Sequence, residues 1–210
     1  MKKNAQLLRS ALLAIGFSAT VAACSNNAEE SGTTADTAGT ATADTAGTTA
    51  TSTAAGPAAE ATLSGVYSDT AVSGTARFTQ GASGQVKLNL EVTVPAKANG
   101  TVAVHLHEMG SCADNGKAAG PHWNPTGEAH GKWGEGAYHS GDLGNVTLDG
   151  SGRGTLELES DRWSIGGDAQ KDILNKAVIV HSGVDDYKSQ PAGNAGNRIG
   201  CGVIAARNNP

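Results

Sequence analysis

From Val86 to Val94 the chain alternates strictly. Val86, Leu88, Leu90, Val92 and Val94 are apolar, with Lys87, Asn89, Glu91 and Thr93 between them. A period of two places the apolar set on one face of a half-buried strand. The same pattern predicts strands over residues 102–108, 155–159, 177–181 and 201–205, and with less regular alternation over 63–68, 72–80 and 143–148. About eight short strands, punctuated by Gly, Asn, Asp and Pro and with little helical periodicity, predict an all-β domain built as an antiparallel sandwich or barrel. Residues 109–142 break the pattern, with neither strand nor helix periodicity. Loops of that length in compact domains are usually functional or disordered, and this one holds three of the six histidines, which favours function.

Composition agrees: 29 glycines and 4% aromatic residues suit short strands joined by many turns. The formal charge is −5, and removing residues 1–23, which carry Lys2, Lys3 and Arg9 but no acid, takes it to −8. A chain of that balance lacks the basic face of a nucleic-acid binder. No apolar run reaches the roughly 18–20 residues that span a bilayer. The N-terminus instead has the layout of an export signal: cations first, an apolar stretch over residues 11–17, then small residues up to Ala22 and Ala23. It ends in Val21-Ala22-Ala23-Cys24, which resembles the lipobox of bacterial lipoproteins, with Cys24 as the lipidated first residue of the mature chain. Several acyl chains on one Cys would hold the protein on a membrane surface. Residues 25–62 contain no Leu, Ile, Val, Met, Phe, Trp or Tyr, and residues 34–41 are nearly repeated at 42–49. Such a segment reads as a disordered tether, reaching roughly 30–35 Å as a flexible coil. The expected organisation is therefore a signal peptide over 1–23, a lipidated Cys and tether over 24–62, and one folded domain over 63–210. The expected location is exported, periplasmic or cell-envelope, and membrane-anchored.

All six histidines lie between positions 105 and 181. His105 and His107 alternate with Val104 and Leu106 on a predicted strand, so both imidazoles project from one face, where one metal can take both. His122, His130, His139 and Asp142 fall in the long loop, and three imidazoles with one carboxylate make a closed tetrahedral zinc set. A metal would give a loop with no strand or helix periodicity, and so no core of its own, a reason to be ordered. His181 ends a predicted strand. No HExxH, GxSxG or P-loop pattern competes.

Four stretches carry a family resemblance: residues 104–108 (VHLHE), 120–125 (GPHWNP), 139–145 (HSGDLGN) and 193–204 (GNAGNRIGCGVI). In this order they resemble the copper/zinc superoxide dismutases of the bacterial periplasmic kind, and they cover most of the folded domain. The resemblance implies an eight-stranded Greek-key sandwich or barrel, immunoglobulin-like, with long metal-binding loops. It implies redox-active copper on His105, His107, His122 and His181, and structural zinc on His122, His130, His139 and Asp142, with His122 bridging both metals. It further implies that Asp185 hydrogen-bonds the free nitrogens of His105 and His130, and that Arg198, beside the copper, steers the superoxide anion. The reaction implied is dismutation of superoxide to dioxygen and hydrogen peroxide by alternate reduction and oxidation of copper, with His122 taking a proton on reduction. Lys188 would add to the attractive field. Among the cysteines, with Cys24 assigned to lipid, Cys112 and Cys201 remain; the family joins them, and an exported chain is expected to keep them oxidised. The expected partners are superoxide and a membrane surface, with a homodimer left open and no nucleic acid. The alternatives are a non-catalytic copper- and zinc-binding lipoprotein on the same fold, and a zinc hydrolase using Glu108 or Glu128 as general base, which a four-ligand zinc site disfavours.

Overall fold

A computed structural model of the chain describes residues 56–207; the signal, Cys24 and the tether as far as Ala55 lie outside them. Nine strands form: β1 (Ala58–Gly65), β2 (Ser73–Gln80), β3 (Val86–Thr93), β4 (Thr101–His107), β5 (Gly144–Thr147), β6 (Arg153–Ser160), β7 (Ala177–His181), β8 (Arg198–Val203) and β9 (Ala205–Arg207). Apart from single 3₁₀ turns at Pro95–Lys97 and Lys117–Ala119, the described residues contain no helix. The first eight strands run in the spatial order β5-β4-β7-β8-β1-β2-β3-β6, all antiparallel, and β9 adds to β1. The ends of that path meet. A side-chain carbon placed on Gly154 of β6 would fall 2.6 Å from both Thr147 O and Val146 Cγ1 of β5, so glycine lets the barrel nearly close. Strands β3, β6, β5 and β4 form a Greek key, the β3–β4 connection crossing over the other two.

The alternating residues fill the interior: Ala61, Leu63, Phe78, Leu88, Leu90, Val92, Val104, Leu106, Val146, Val178, Val180 and Trp163 are buried together. Trp163 packs edge-on to Phe78, with ring centroids 5.9 Å apart, and donates its Nε1–H to Ser140 O at 2.8 Å. The core is thereby tied to the loop at residues 109–142. That loop contributes no strand, as expected, and it covers the outer face of β4. This is why β4 is buried on both faces, with Val104 and Leu106 inward and His105 and His107 outward under the loop. A second, smaller cluster of Ala119, Ala177, Ile179 and Cys201, packed by Cys112 and Val66, lies under the same loop. Cys112 and Cys201 are disulfide-bonded.

The expected boundary at Leu63 is corrected. β1 starts at Ala58, inside the segment read as tether, and pairs with β2 from Ala58 to Ser64. Ala58, Ala59 and Ala61 are 6%, 1% and 0% exposed. Alanine methyls fill the space opposite Ala76 and Phe78, where larger side chains would overpack, and hydropathy cannot tell such alanines from those of a linker. The strand expected over 201–205 is divided at Ile204, which is buried while its neighbours pass into β8 and β9.

Candidate metal centre

His105 and His107 leave β4 on its outer face, and His181 ends β7 beside them; in the ladder His105 stands opposite Ile179 and His107 opposite Ala177. His122 arrives from the long loop, because residues 121–123 run alongside the end of β4. Glu108 N–H donates to Pro121 O (3.1 Å), Trp123 N–H to Leu106 O (2.8 Å), and Leu106 N–H to Gly141 O (2.8 Å). The loop behaves as an added strand that carries His122 in and returns through His139 and Asp142.

These residues form two groups, each with its ligand atoms within 4.8 Å of one another: His105, His107, His122 and His181; and His122, His130, His139 and Asp142. His122 alone belongs to both. In the first group His107 Nε2 and His181 Nε2 are 3.3 Å apart. Their other nitrogens face main-chain carbonyls, His107 Nδ1 at 2.8 Å from Gly120 O and His181 Nδ1 at 3.3 Å from Gly196 O. His105 Nε2 lies 2.8 Å from Asp185 Oδ2, which leaves its Nδ1 buried with no hydrogen-bond partner. In the second group Asp142 Oδ1 is 2.9, 3.0 and 3.1 Å from Nδ1 of His122, His130 and His139. The His130 contact is close without hydrogen-bond geometry, and His130 Nδ1 and His122 Nε2 are likewise buried without a partner. Asp185 Oδ1 holds His130 Nε2 at 2.9 Å.

Three buried, orphaned imidazole nitrogens would be costly in a finished protein interior. They are explained if each aims a lone pair at a cation. Ligands about 2.0 Å from a tetrahedral ion stand about 3.3 Å apart, close to the spacing around Asp142 Oδ1, and three imidazoles with one carboxylate are a zinc donor set. The all-imidazole group suits copper. The residues fit both ions.

The electrostatics follow from burial and two carboxylates. Burial disfavours imidazolium at His105 and His107, pushes His122 down to about 4 despite Asp142, and pushes His181 down to about 3. His130 is the exception: burial opposes its charge, but Asp142 and Asp185 flank it and raise it to about 9. Asp142 and Asp185 are held below the ordinary carboxylate range by these imidazoles, although burial acts the other way. In the metal-free chain the lowered histidines stay neutral when folded but take protons at about pH 6.5 when unfolded. Stability therefore falls as the pH drops below 6.5, at about 1.4 kcal/mol per unit for each such histidine. His130 acts oppositely: its contribution is complete below 6.5 and is lost as the pH rises through 9. The chelated, disulfide-intact protein is expected to be most stable near pH 6.5, with a steep acid side and a shallow alkaline one, as urea unfolding at pH 5, 6.5 and 9 would measure.

A cavity of about 700 Å³ opens onto the first group, lined by His107, His122, His181 and Arg198, with Glu108, Trp123 and Lys176 among its wall residues. Arg198 donates Nη1–H to Gly116 O (2.5 Å) and Lys117 O (3.3 Å), and Nη2–H to Gly120 O (2.6 Å). These bonds use three of its five N–H donors and point the guanidinium along the wall. Lys188, expected to add to the field, is not among the lining residues. Lys176 is, with Nζ 5.6 Å from the Trp123 ring centroid. Glu128, a general-base candidate of the hydrolase alternative, is committed to Arg162 at 3.0 Å.

Residues 72–204 match the family model of copper/zinc superoxide dismutase. The chain belongs to that family. It is 37% identical over 123 residues to superoxide dismutase [Cu-Zn] 2 of Aquifex aeolicus (strain VF5), covering 57% of this chain and 70% of that one. It is 34% identical over 145 residues to superoxide dismutase [Cu-Zn] of Botryotinia fuckeliana, covering 66% and 93%. Among solved structures, the crystal structure of the clock protein EA4 superposes with a TM-score of 0.62 at 34% identity, covering 70% of this chain and 93% of that one. As a copper/zinc superoxide dismutase the chain is an oxidoreductase that dismutates superoxide, with copper and zinc as cofactors.

Every histidine singled out in the sequence, with Asp142 and Asp185, lies at this centre. Two residues with no role assigned from the sequence belong to it as well. Asn145 clamps the main chain of Asp185, donating Nδ2–H to Asp185 O and accepting from Asp185 N–H, both at 2.9 Å. Gly193 has φ +65°, and a side-chain carbon there would lie 1.8 Å from Asp185 Oδ1 and 2.6 Å from His130 Nε2. Only glycine lets that hydrogen bond form.

Proposed function

We propose that copper is held by His105, His107, His122 and His181, and zinc by His122, His130, His139 and Asp142, in a lipid-anchored dismutase of the cell envelope. The observation that carries the metal assignment is His122, which turns Nδ1 toward Asp142 and Nε2 into the all-imidazole group. Copper supplies the one-electron couple that dismutation needs, while zinc, having no second oxidation state, supplies order. The chain's own residues do the rest. Asp185 fixes the tautomer and orientation of His105 and His130 from one carboxylate, coupling the two groups. His122 Nε2 is the site for the proton taken up on reduction. Arg198 presents its remaining N–H donors to the anion in the cavity.

The mature charge near −8 does not oppose this, because charges beyond a Debye length of about 8 Å are screened and the local field decides. Replacing Arg198 with Ile is expected to lower kcat/KM by about tenfold and to flatten its dependence on ionic strength, as measured by superoxide decay at several salt concentrations. The lipid anchor and the envelope location are supported by the signal-like N-terminus, Val21-Ala22-Ala23-Cys24 and the polar tether. Metal analysis of the purified protein, with superoxide decay before and after copper removal, tests the metal assignment: one copper and one zinc per chain are expected, and activity lost with copper. The intact mass of the mature N-terminus tests the anchor, which an unmodified Cys24 would refute.

A further inference from the structure

The loop at residues 182–197 contains no strand among the described residues, yet it carries Asp185 and walls the cavity through Pro191 and Ala192. Much of its shape is local. Asp186 accepts from Lys188 N–H, Ser189 N–H, Ser189 Oγ–H and Asn194 Nδ2–H, closing a compact turn. From that turn Gln190 reaches sixty residues back along the chain. Its Oε1 accepts from His130 N–H at 2.9 Å, and its Nε2–H donates to His130 O at 2.9 Å. One amide thus takes both main-chain groups of His130, as a neighbouring strand would in a ladder. His130 needs such a partner, because it sits in a loop where no strand ladder pairs its backbone.

We infer that Gln190 is a positioning residue, a latch that fixes the His130 imidazole between Asp142 and Asp185 and locks the Pro191–Ala192 wall of the cavity to the zinc side. Three contacts then define His130: Asp185 at Nε2, the zinc-side group at Nδ1, and Gln190 along the main chain. Removing the third leaves the ring free to swing with its backbone while the donor set stays chemically complete. The inference rests on zinc being held by His130.

Gln190→Met keeps the length of the side chain and removes both hydrogen bonds to His130, together with the 3.3 Å bond from Nε2–H to Lys188 O. Gln190 is exposed, so the variant retains the core. Residues that orient metal ligands typically contribute 10–100-fold to affinity. Zinc release from the zinc-loaded, disulfide-intact variant to a chromophoric chelator is expected to be about tenfold faster than from the parent. In the metal-free protein, hydrogen exchange at the His130 amide is expected to be about tenfold faster, while the amides of Val178 and Val180 in β7 keep the parent rate. Zinc release within twofold of the parent, or an unchanged His130 amide, overturns the latch. A parent chain that takes up no zinc overturns the zinc assignment instead, and the exchange measurement then decides the latch alone.

Discussion

Replacing His122 with alanine is expected to lower superoxide dismutation by at least about a hundredfold and to cost the protein both metals as a matched pair. Every other ligand candidate belongs to one group, and His122 belongs to both. Without it the first group keeps three imidazoles, while the second keeps two imidazoles and a carboxylate. Orienting residues alone are worth 10–100-fold in affinity or activity, so a shared ligand is worth more. The loss is also steric. The His122 ring packs 3.9 Å from that of His105 and 4.9 Å from that of His107, so alanine leaves a hole where two of the remaining imidazoles lose a neighbour. The comparison that isolates the shared role is His139→Ala, which touches the second group alone and is expected to lose zinc while keeping copper and part of the activity. Metal content and superoxide decay on both variants check this. Parent-level copper and zinc in His122→Ala would refute the bridge.

The legibility of this molecule in its sequence follows the range of the forces involved. β3 was readable because Val86, Leu88, Leu90 and Val92 are buried while Lys87 and Glu91 between them are exposed, a contrast that hydropathy records locally. The placement of His105 and His107 on one face followed from the same period of two, and the structure puts both on the outer side of β4. β1 was placed late because its inward side chains include Ala59 and Ala61, whose methyls carry too little signal to stand out from the Thr, Ala and Gly before them. That β4 is buried on both faces was not legible, because the cover comes from a loop with little apolar periodicity. The histidines were legible as a residue type, six being few enough to count. Asp142 is one of eleven aspartates and was picked out by its place in the long loop and by the family resemblance. The supports of these donors were not legible. Asn145 on Asp185 and Gln190 on His130 are amides joining positions 40 and 60 residues apart, and an isolated Asn or Gln in sequence looks like any surface residue. Gly193 lies inside a recognisable stretch, but its reason is a contact with Asp185 and His130 that only the fold creates.

Removing the Cys112–Cys201 disulfide is expected to have the largest effect on stability. The bond closes a loop spanning a sequence separation of 89 residues, which in the chain-entropy picture contributes about 4.6 kcal/mol through the unfolded state. For a domain of this size that is a shift of about 10–18 °C in Tm. The native side adds to it. Cys201 stands in β8 opposite Ile179 of β7 and Ser64 of β1, and with Ala119, Ala177 and Ile179 it forms the small apolar cluster that seats the start of the long loop. That stretch of loop supplies Gly116 O, Lys117 O and Gly120 O to Arg198. Reduction therefore frees the acceptors that aim the guanidinium as well as the chain. A Cys112→Ser/Cys201→Ala double variant, chosen so that no hydroxyl is buried at Cys201, is expected to unfold 4–5 kcal/mol more easily in urea. With metals loaded it should also show the weakened salt dependence of Arg198→Ile, although Arg198 is intact. A stability loss below about 1 kcal/mol would mean that the loop is seated without its covalent tie. A normal salt dependence would mean that Arg198 finds its carbonyls unaided, so the two measurements separate the entropic role of the bond from its role in aiming the cation.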